Sequence, residues 1–207
     1  MDKSAIILAG GFSRRFGEDK GLIALVNKPL IKHVLDAIND IVDEKIVVVS
    51  SKAQAENFAK VVGLNVNVVI DADDVKSPLV GALTGFKEAR GEYALLLPCD
   101  TPLLSRDVLL LLLDLCANKA ATIPRWPSGY IEPLQAVYLT KPALETAKNA
   151  LRDGRLDMRS MIERLHGVRY VSTLVLKQLD PELKTFFNIN TPLDLKKAEL
   201  ILKGKEK

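Results

Sequence analysis

Little in this sequence is in excess, and each shortage closes a class of function. Cysteine is scarce: Cys99 and Cys116 stand 17 residues apart without the paired spacing of a structural zinc site, and they read as reduced, buried thiols of a cytoplasmic protein. The two histidines, His33 and His166, fall in or beside helical patterns with neither metal-ligand spacing nor a nucleophile pattern, so neither is assigned catalysis. Charge of one sign is also missing. The 29 basic and 26 acidic residues leave a formal +3, which gives no reason to expect a nucleic-acid or membrane surface. A lysine-richer tail, 196–207, reads as a solvated helix end in preference to a polyanion site. The longest apolar run, 108–113, is far short of the roughly 18 residues a membrane span needs. The opening MDKSAIILAGG lacks a cleavable secretory pattern and reads as a first buried strand.

What remains is a chain of 207 residues, 48% of them hydrophobic, enough for a substantial core in a single domain. Short β-rich runs recur at 5–8, 45–49, 66–70, 93–97, 121–123 and 134–139, with helical patterns between most of them. This alternation predicts an α/β fold with a largely parallel sheet covered on both faces. Leu30, Ile31, Val34, Leu35 and Ile38 share one face of a helix over 29–40, with Pro29 at its first position. Pro78 precedes a second helical pattern at 79–89, and Ser105 caps the helix that carries 109–113. The segment 124–129, PRWPSG, breaks the rhythm, and a strand followed by helices near 141–151 and 157–165 forms an appended half of the domain. Ligands of open α/β sheets sit beyond the carboxyl ends of the strands, where the motifs fall.

The first motif follows the first strand. Gly10 and Gly11 open a loop that also holds Arg14, Arg15, Gly17 and Lys20. Glycine permits close backbone approach, so successive N–H groups can converge on phosphate oxygens while the cations add charge. Neither the Rossmann spacing nor the Walker spacing fits this loop. Read alone, the glycines suit a plain surface turn equally well. The second motif, Pro98-Cys99-Asp100-Thr101-Pro102, puts a carboxylate just past an apolar strand. Hard carboxylate oxygen suits Mg²⁺, although a turn aspartate before Thr-Pro also suits a cap.

Read together, the motifs resemble those of one family. The string 8–20, LAGGFSRRFGEDK, resembles the signature L-A-G-G-x-S-x-R-M-G-x-D-K of the MobA-like nucleotidyltransferases, the molybdenum cofactor guanylyltransferase family. Pro-Cys-Asp-Thr-Pro resembles its metal motif, and 188–195, NINTPLDL, its closing N-x-N-T-P-x-D-L. Phe16 replaces the usual methionine, a packing change. The resemblance runs from Ala5 to Leu195 and implies a Rossmann-like three-layer α/β/α fold of the nucleotide-diphospho-sugar transferase type, with a mostly parallel mixed sheet. It implies one nucleotidyltransferase domain over 1–207, with a nucleotide half to about 102 and an acceptor half from about 103.

It also implies roles. Leu8, Ala9, Gly10, Gly11 and Lys20 would hold the triphosphate, Asp71 and Asp100 would bind the nucleotide, and Asp100 with Asn190 would hold Mg²⁺. Lys20, Arg15 and Asp100 would carry catalysis. Asp73 and Asp74 compete with Asp71 for its role, and Asn188 with Asn190, since alternate residues of an extended segment face the same way. The motif P-L-V-G at 78–81 stands where the family has P-L-A-G, with Ser77 for the preceding glycine. Ser50-Ser51 stands where the family has an asparagine that contacts nucleotide. On the acceptor side, Trp126 and Tyr130 are candidates to stack on a pterin, and Arg155 and Arg159 to meet its phosphate, with packing or solvation the plainer reading of all four. Thr191 and Asp194 should cap the last helix. The substrates implied are GTP and a molybdopterin-type cofactor, with a molybdoenzyme or cofactor-delivery protein as a possible partner. Asp100-Thr101-Pro102 favours guanylyl over cytidylyl transfer, whose enzymes tend to carry D-Q-P, and Phe12-Ser13-Arg14 departs from the G-T-R of sugar-1-phosphate enzymes. A non-catalytic GTP-binding adaptor is the reading from another class.

Overall fold

The computed structural model describes residues 2–13, 15–71 and 75–204. Arg14, Asp73 and Asp74 lie outside the described residues. Seven strands form one sheet: β1 (Lys3–Leu8), β2 (Glu44–Val49), β3 (Asn67–Ile70), β4 (Tyr93–Pro98), β5 (Ala121–Arg125), β6 (Ala136–Leu139) and β7 (Val168–Ser172). Their order across the sheet is β7-β5-β6-β4-β1-β2-β3. All neighbours pair in parallel except β6, which runs antiparallel to both β4 and β5. From β1 the chain winds outward to β2 and β3, then crosses back to β4 on the other side of β1. The carboxyl ends of β1 and β4 therefore flank the point where the winding reverses, and a crevice forms there.

Period-two alternation divides the apolar residues between two faces. Ile7, Val47, Val49, Leu95 and Leu97 pack under α1 (Leu30–Ala37), α2 (Lys52–Val62), α4 (Arg106–Leu115) and α7 (Thr173–Leu176). Ile6, Ile46, Val48, Ala94 and Leu96 pack under α3 (Pro78–Glu88), α5 (Thr140–Arg152) and α6 (Met158–Ile162). The result is three layers, α/β/α. A third, smaller cluster joins Ile23, Leu25, Leu30 and Leu103 to Ile189 and to Ala198 of α8 (Pro192–Gly204). It draws the last segment of the chain against the loop that follows the glycine turn.

Several boundaries differ from the sequence pattern for local reasons. Helix α1 begins at Leu30 because Pro29 is extended, with ψ 145, and pairs with Ala24 in a two-residue ladder. It ends at Ala37, three residues short of expectation, where Ile38 leaves helical geometry at ψ 1. Strand β6 starts only at Ala136. Asp157 is the cap of α6 rather than its first residue, and its carboxylate accepts the Ser160 N–H at 2.9 Å. Edge strand β7, with α7 behind it, extends the sheet beyond the expected strands. Ser105 caps α4 as its position suggested. Among the described residues no helix is long and apolar enough to cross a membrane.

Candidate active site

The first wall of the crevice is the glycine turn, and hydrogen bonds to both neighbouring strands fix it. Ala9 N–H donates to the Val48 carbonyl at 2.8 Å, and Cys99 N–H donates to the Leu8 carbonyl at 3.1 Å. The two glycines then have different tasks. A Cβ on Gly10 would sit 2.1 Å from Ser50 Oγ, whose hydroxyl donates to the Gly10 carbonyl at 2.9 Å, so this glycine permits contact with the β2–α2 loop. A Cβ on Gly11 would meet nothing within 4 Å, and this glycine lines the cavity. The loop continues as a miniature ladder of Phe12–Ser13 against Glu18–Asp19, reversed at Gly17, whose φ of +73° favours glycine. Lys20 N–H donates to the Gly11 carbonyl at 3.1 Å, which brings the lysine back beside the turn.

Lys20 reaches across to the second wall. Its ammonium pairs with the buried Asp100 carboxylate and donates to Asn190 Oδ1 at 2.6 Å. Asn190 is held in place from both sides. Ile189, fully buried, donates its N–H to the Asp100 carbonyl at 2.9 Å. On the other side, Asp194 Oδ2 accepts the Thr191 N–H at 2.9 Å while Thr191 Oγ1 accepts the Asp194 N–H at 3.2 Å, a reciprocal cap at the start of α8. Thr191 Oγ1–H also donates to Asp194 Oδ2 at 2.8 Å, and this bond first, then those from the Asn190 and Thr191 N–H groups, holds the Asp194 carboxyl below its ordinary value.

Behind this triad lies a cavity of about 370 Å³, lined by Leu8, Gly10, Gly11, Lys20, Ser50, Asp71, Lys76, Ser77, Gly81, Asp100 and Leu134 among others. Most of the sequence candidates therefore meet in one place. Asp71 stands at the end of β3, its N–H donating to Val49 O at 2.7 Å and its carboxylate accepting from Thr84 Oγ1 at 3.0 Å. Two candidates stand aside. Ala9 is fully buried with its N–H committed to β2, and exposed Arg15 donates from Nη1 to the Asn190 carbonyl at 3.2 Å. Arg15 thus ties the loop to the Asn190 segment.

The expected pairing of Asn188 with Asn190 does not form. A 3₁₀ turn at Lys184–Phe186 runs into this segment, and the Asn188 amide donates back to the Phe186 carbonyl at 3.2 Å. Ser51 is spent as the α2 cap, accepting Gln54 N–H at 3.2 Å. On the acceptor side, Leu134 lines the cavity, whereas Trp126 packs edge-on against Phe186 at 5.9 Å and donates Nε1–H to Glu132 at 2.7 Å. Tyr130 is exposed, and neither it nor Arg155 nor Arg159 is among the described lining residues.

Sequence reasoning missed Thr84, Lys76 and Gln54. Gln54 had a legible signal: Ser51-x-x-Gln54 is the pattern of a capping box. Cys99 borders the cavity, and burial, followed by the neighbouring Asp100 charge, pushes its thiol up, which disfavours the thiolate. Burial likewise pushes Cys116 up to about 11.

The profile of the MobA-like NTP transferase domain matches residues 5–168. The chain belongs to this family. It is a nucleotidyltransferase, and its fold is of the nucleotide-diphospho-sugar transferase type. A probable molybdenum cofactor guanylyltransferase from Methanosarcina mazei is 32% identical over 99% of this chain and 92% of its own length. The crystal structure of molybdopterin-guanine dinucleotide biosynthesis protein A from Archaeoglobus fulgidus is similar at a TM-score of 0.81 and 29% identity, covering 97% of this chain and 99% of that one. A 2-C-methyl-D-erythritol 4-phosphate cytidylyltransferase from Thermus thermophilus shares the fold at a TM-score of 0.74 and 19% identity, covering 98% and 100%.

Proposed function

We propose that this member of the MobA-like family transfers GMP from GTP to the terminal phosphate of a molybdopterin-type cofactor and releases pyrophosphate. The convergence of Lys20, Asp100 and Asn190 beside the cavity that Gly10 and Gly11 line carries the reading. The names borne by the similar proteins supply the base and the acceptor.

In this reaction an acceptor phosphate oxygen forms a bond to the α-phosphorus while the bond to the β-phosphate oxygen breaks in line, with pyrophosphate as the leaving group. Phosphate is an adequate nucleophile, so neither a covalent intermediate nor a thiolate is needed, consistent with the buried thiol of Cys99. Catalysis then rests on orientation and charge. The Gly10-Gly11 backbone and Lys20 hold the triphosphate, Arg15 braces the Asn190 segment, and Asp71 takes the nucleoside from the far wall. The residues fit Mg²⁺: Asp100 and Asn190 each aim a hard oxygen at one point, now shared by the Lys20 ammonium, and Mg²⁺ favours one or two carboxylates plus substrate phosphates. When bound, Mg²⁺ would neutralise triphosphate charge. The nucleotide side belongs to the half before about residue 102 and the acceptor side to the half after it, within one domain of 1–207. The cytoplasmic setting fits two free, buried cysteines.

Pyrophosphate release tests the reading, with GTP, CTP and ATP each offered to molybdopterin and to sugar phosphates. GTP with molybdopterin should be the productive pair. Preference for CTP would reassign the base, a sugar phosphate as the productive partner would reassign the acceptor, and GTP binding without release across the panel would support the adaptor reading.

A further inference from the structure

Gln54 is a buried polar side chain, 9% exposed, near the start of α2. Its position three residues after the Ser51 cap predicts that it folds back onto the cap's own N–H. The side chain instead reaches further on both sides. Oε1 accepts the N–H of Ser50 at 2.8 Å, and Nε2 donates to Asp19 Oδ1 at 2.7 Å. Ser50 is the residue that donates to the Gly10 carbonyl, and Asp19 immediately precedes Lys20. Asp19 makes no side-chain cap to the 3₁₀ turn that follows it, so its carboxylate is left to accept from Gln54. One amide thus joins the two ends of the glycine loop, Gly10 through Ser50 and Lys20 through Asp19.

We infer that Gln54 is a positioning residue that aims Lys20 at the triphosphate. A lysine on a flexible stem neutralises phosphate effectively only where its backbone is held, and preorganisation is what gives such a group its effect. Here the hold comes from a buried amide that meets a carboxylate on one side and a backbone N–H on the other, a donor–acceptor order that a carboxylate in its place does not supply. Gln54→Glu keeps the acceptor for Ser50 N–H but turns the second contact into carboxylate against carboxylate. Asp19→Asn in that background restores a donor, now pointing in the opposite direction.

The inference rests on the proposed reaction only in taking Lys20 as a triphosphate contact, so binding tests it without turnover. Titration of the intact protein with GTP and with GMP, both with Mg²⁺, separates a loop effect from general damage, because GMP lacks the β- and γ-phosphates. Gln54→Glu and Gln54→Ala should weaken GTP by about tenfold, the order for losing a charge-assisted hydrogen bond. Affinity for GMP should stay within about twofold, and Asp19→Asn/Gln54→Glu should recover GTP binding to within about threefold of wild type. Parallel loss of GTP and GMP, unchanged GTP binding in Gln54→Glu, or a folded double variant no better than the single one would each overturn the inference. If the wild type prefers CTP or ATP, that nucleotide and its monophosphate replace the guanine pair. A wild type that binds GTP but releases no pyrophosphate with any acceptor would contradict the proposed function alone. Binding of no triphosphate at all would contradict both.

Discussion

The Lys20 ammonium gathers oxygens from residues 80 and 170 positions away, Asp100 and Asn190. Its side chain is 23% exposed and that of Asp100 11%, so the pair is largely withdrawn from water, where the desolvation cost offsets much of the attraction and an ion pair is weak evidence for stability. The arrangement therefore serves the ligand more than the fold. Lys20→Ala and Asp100→Ala should each lower turnover by at least ~10²-fold while the protein unfolds cooperatively, the order for removing a preorganised charge. Steady-state kinetics alongside thermal unfolding checks this, and near-normal turnover in a folded Asp100→Ala protein would sink the assignment of Asp100. The glycines can be tested apart. Gly10→Ala drives a methyl into Ser50 Oγ, 2.1 Å away, and displaces a hydroxyl that anchors the turn. A loss of ~1–3 kcal/mol in folding stability is expected, as for other overpacked sites, and Ser50→Ala in the same background should recover part of it. Gly11→Ala, which faces open space, should leave the denaturation midpoint near wild type.

Two elements deliver the far parts of the site. Helix α3 brings Ser77 and Gly81 to the cavity because it lies almost on β1, where a Cβ on Gly85 would come within 2.2 Å of Ile6 Cγ2. Gly85→Ala gains ~1 kcal/mol in helix propensity but costs ~1–3 kcal/mol in overpacking, so a net loss of up to ~2 kcal/mol is expected from denaturant midpoints. A raised midpoint would contradict the close packing. Helix α8 delivers Asn190 through its Thr191–Asp194 cap. The Asp194 carboxyl is depressed in the folded protein, so its stabilising effect is full above the unfolded carboxyl value of ~3.9 and is lost as pH falls below that, through the folded value. Wild type should therefore lose more thermal stability than Asp194→Asn on acidification through this window. Equal losses would remove the cap from the account.

Taken whole, the molecule was legible where chemistry is local and opaque where it depends on folding back. The alternation of apolar runs placed β1 to β6 and the helices over both faces, since buried parallel strands need β-rich apolar sequence. Edge strand β7 was hidden because VRYVS is only partly buried and carries an exposed tyrosine. Gly10, Gly11, Asp71 and Asp100 follow strand ends and so were readable as neighbours of one crevice, whereas Leu8 and Lys20 entered through the family resemblance. Asn188 misled because its amide turns back to the Phe186 carbonyl at the end of the preceding 3₁₀ turn instead of reaching the site beside Asn190. Gln54 had a local signal in the Ser51-x-x-Gln54 pattern, but its tie to Asp19, 35 residues away, exists only through tertiary contact. The proposed reaction turns on the α-phosphorus of the nucleotide, so the fate of that atom is the most direct test. With GTP radiolabelled at the α-phosphorus, Mg²⁺ and molybdopterin, the label should appear in a dinucleotide product at the rate pyrophosphate is released, and Asp100→Ala should abolish both. Label left in GDP or GMP, with no transfer to the acceptor, would contradict nucleotidyl transfer at this site.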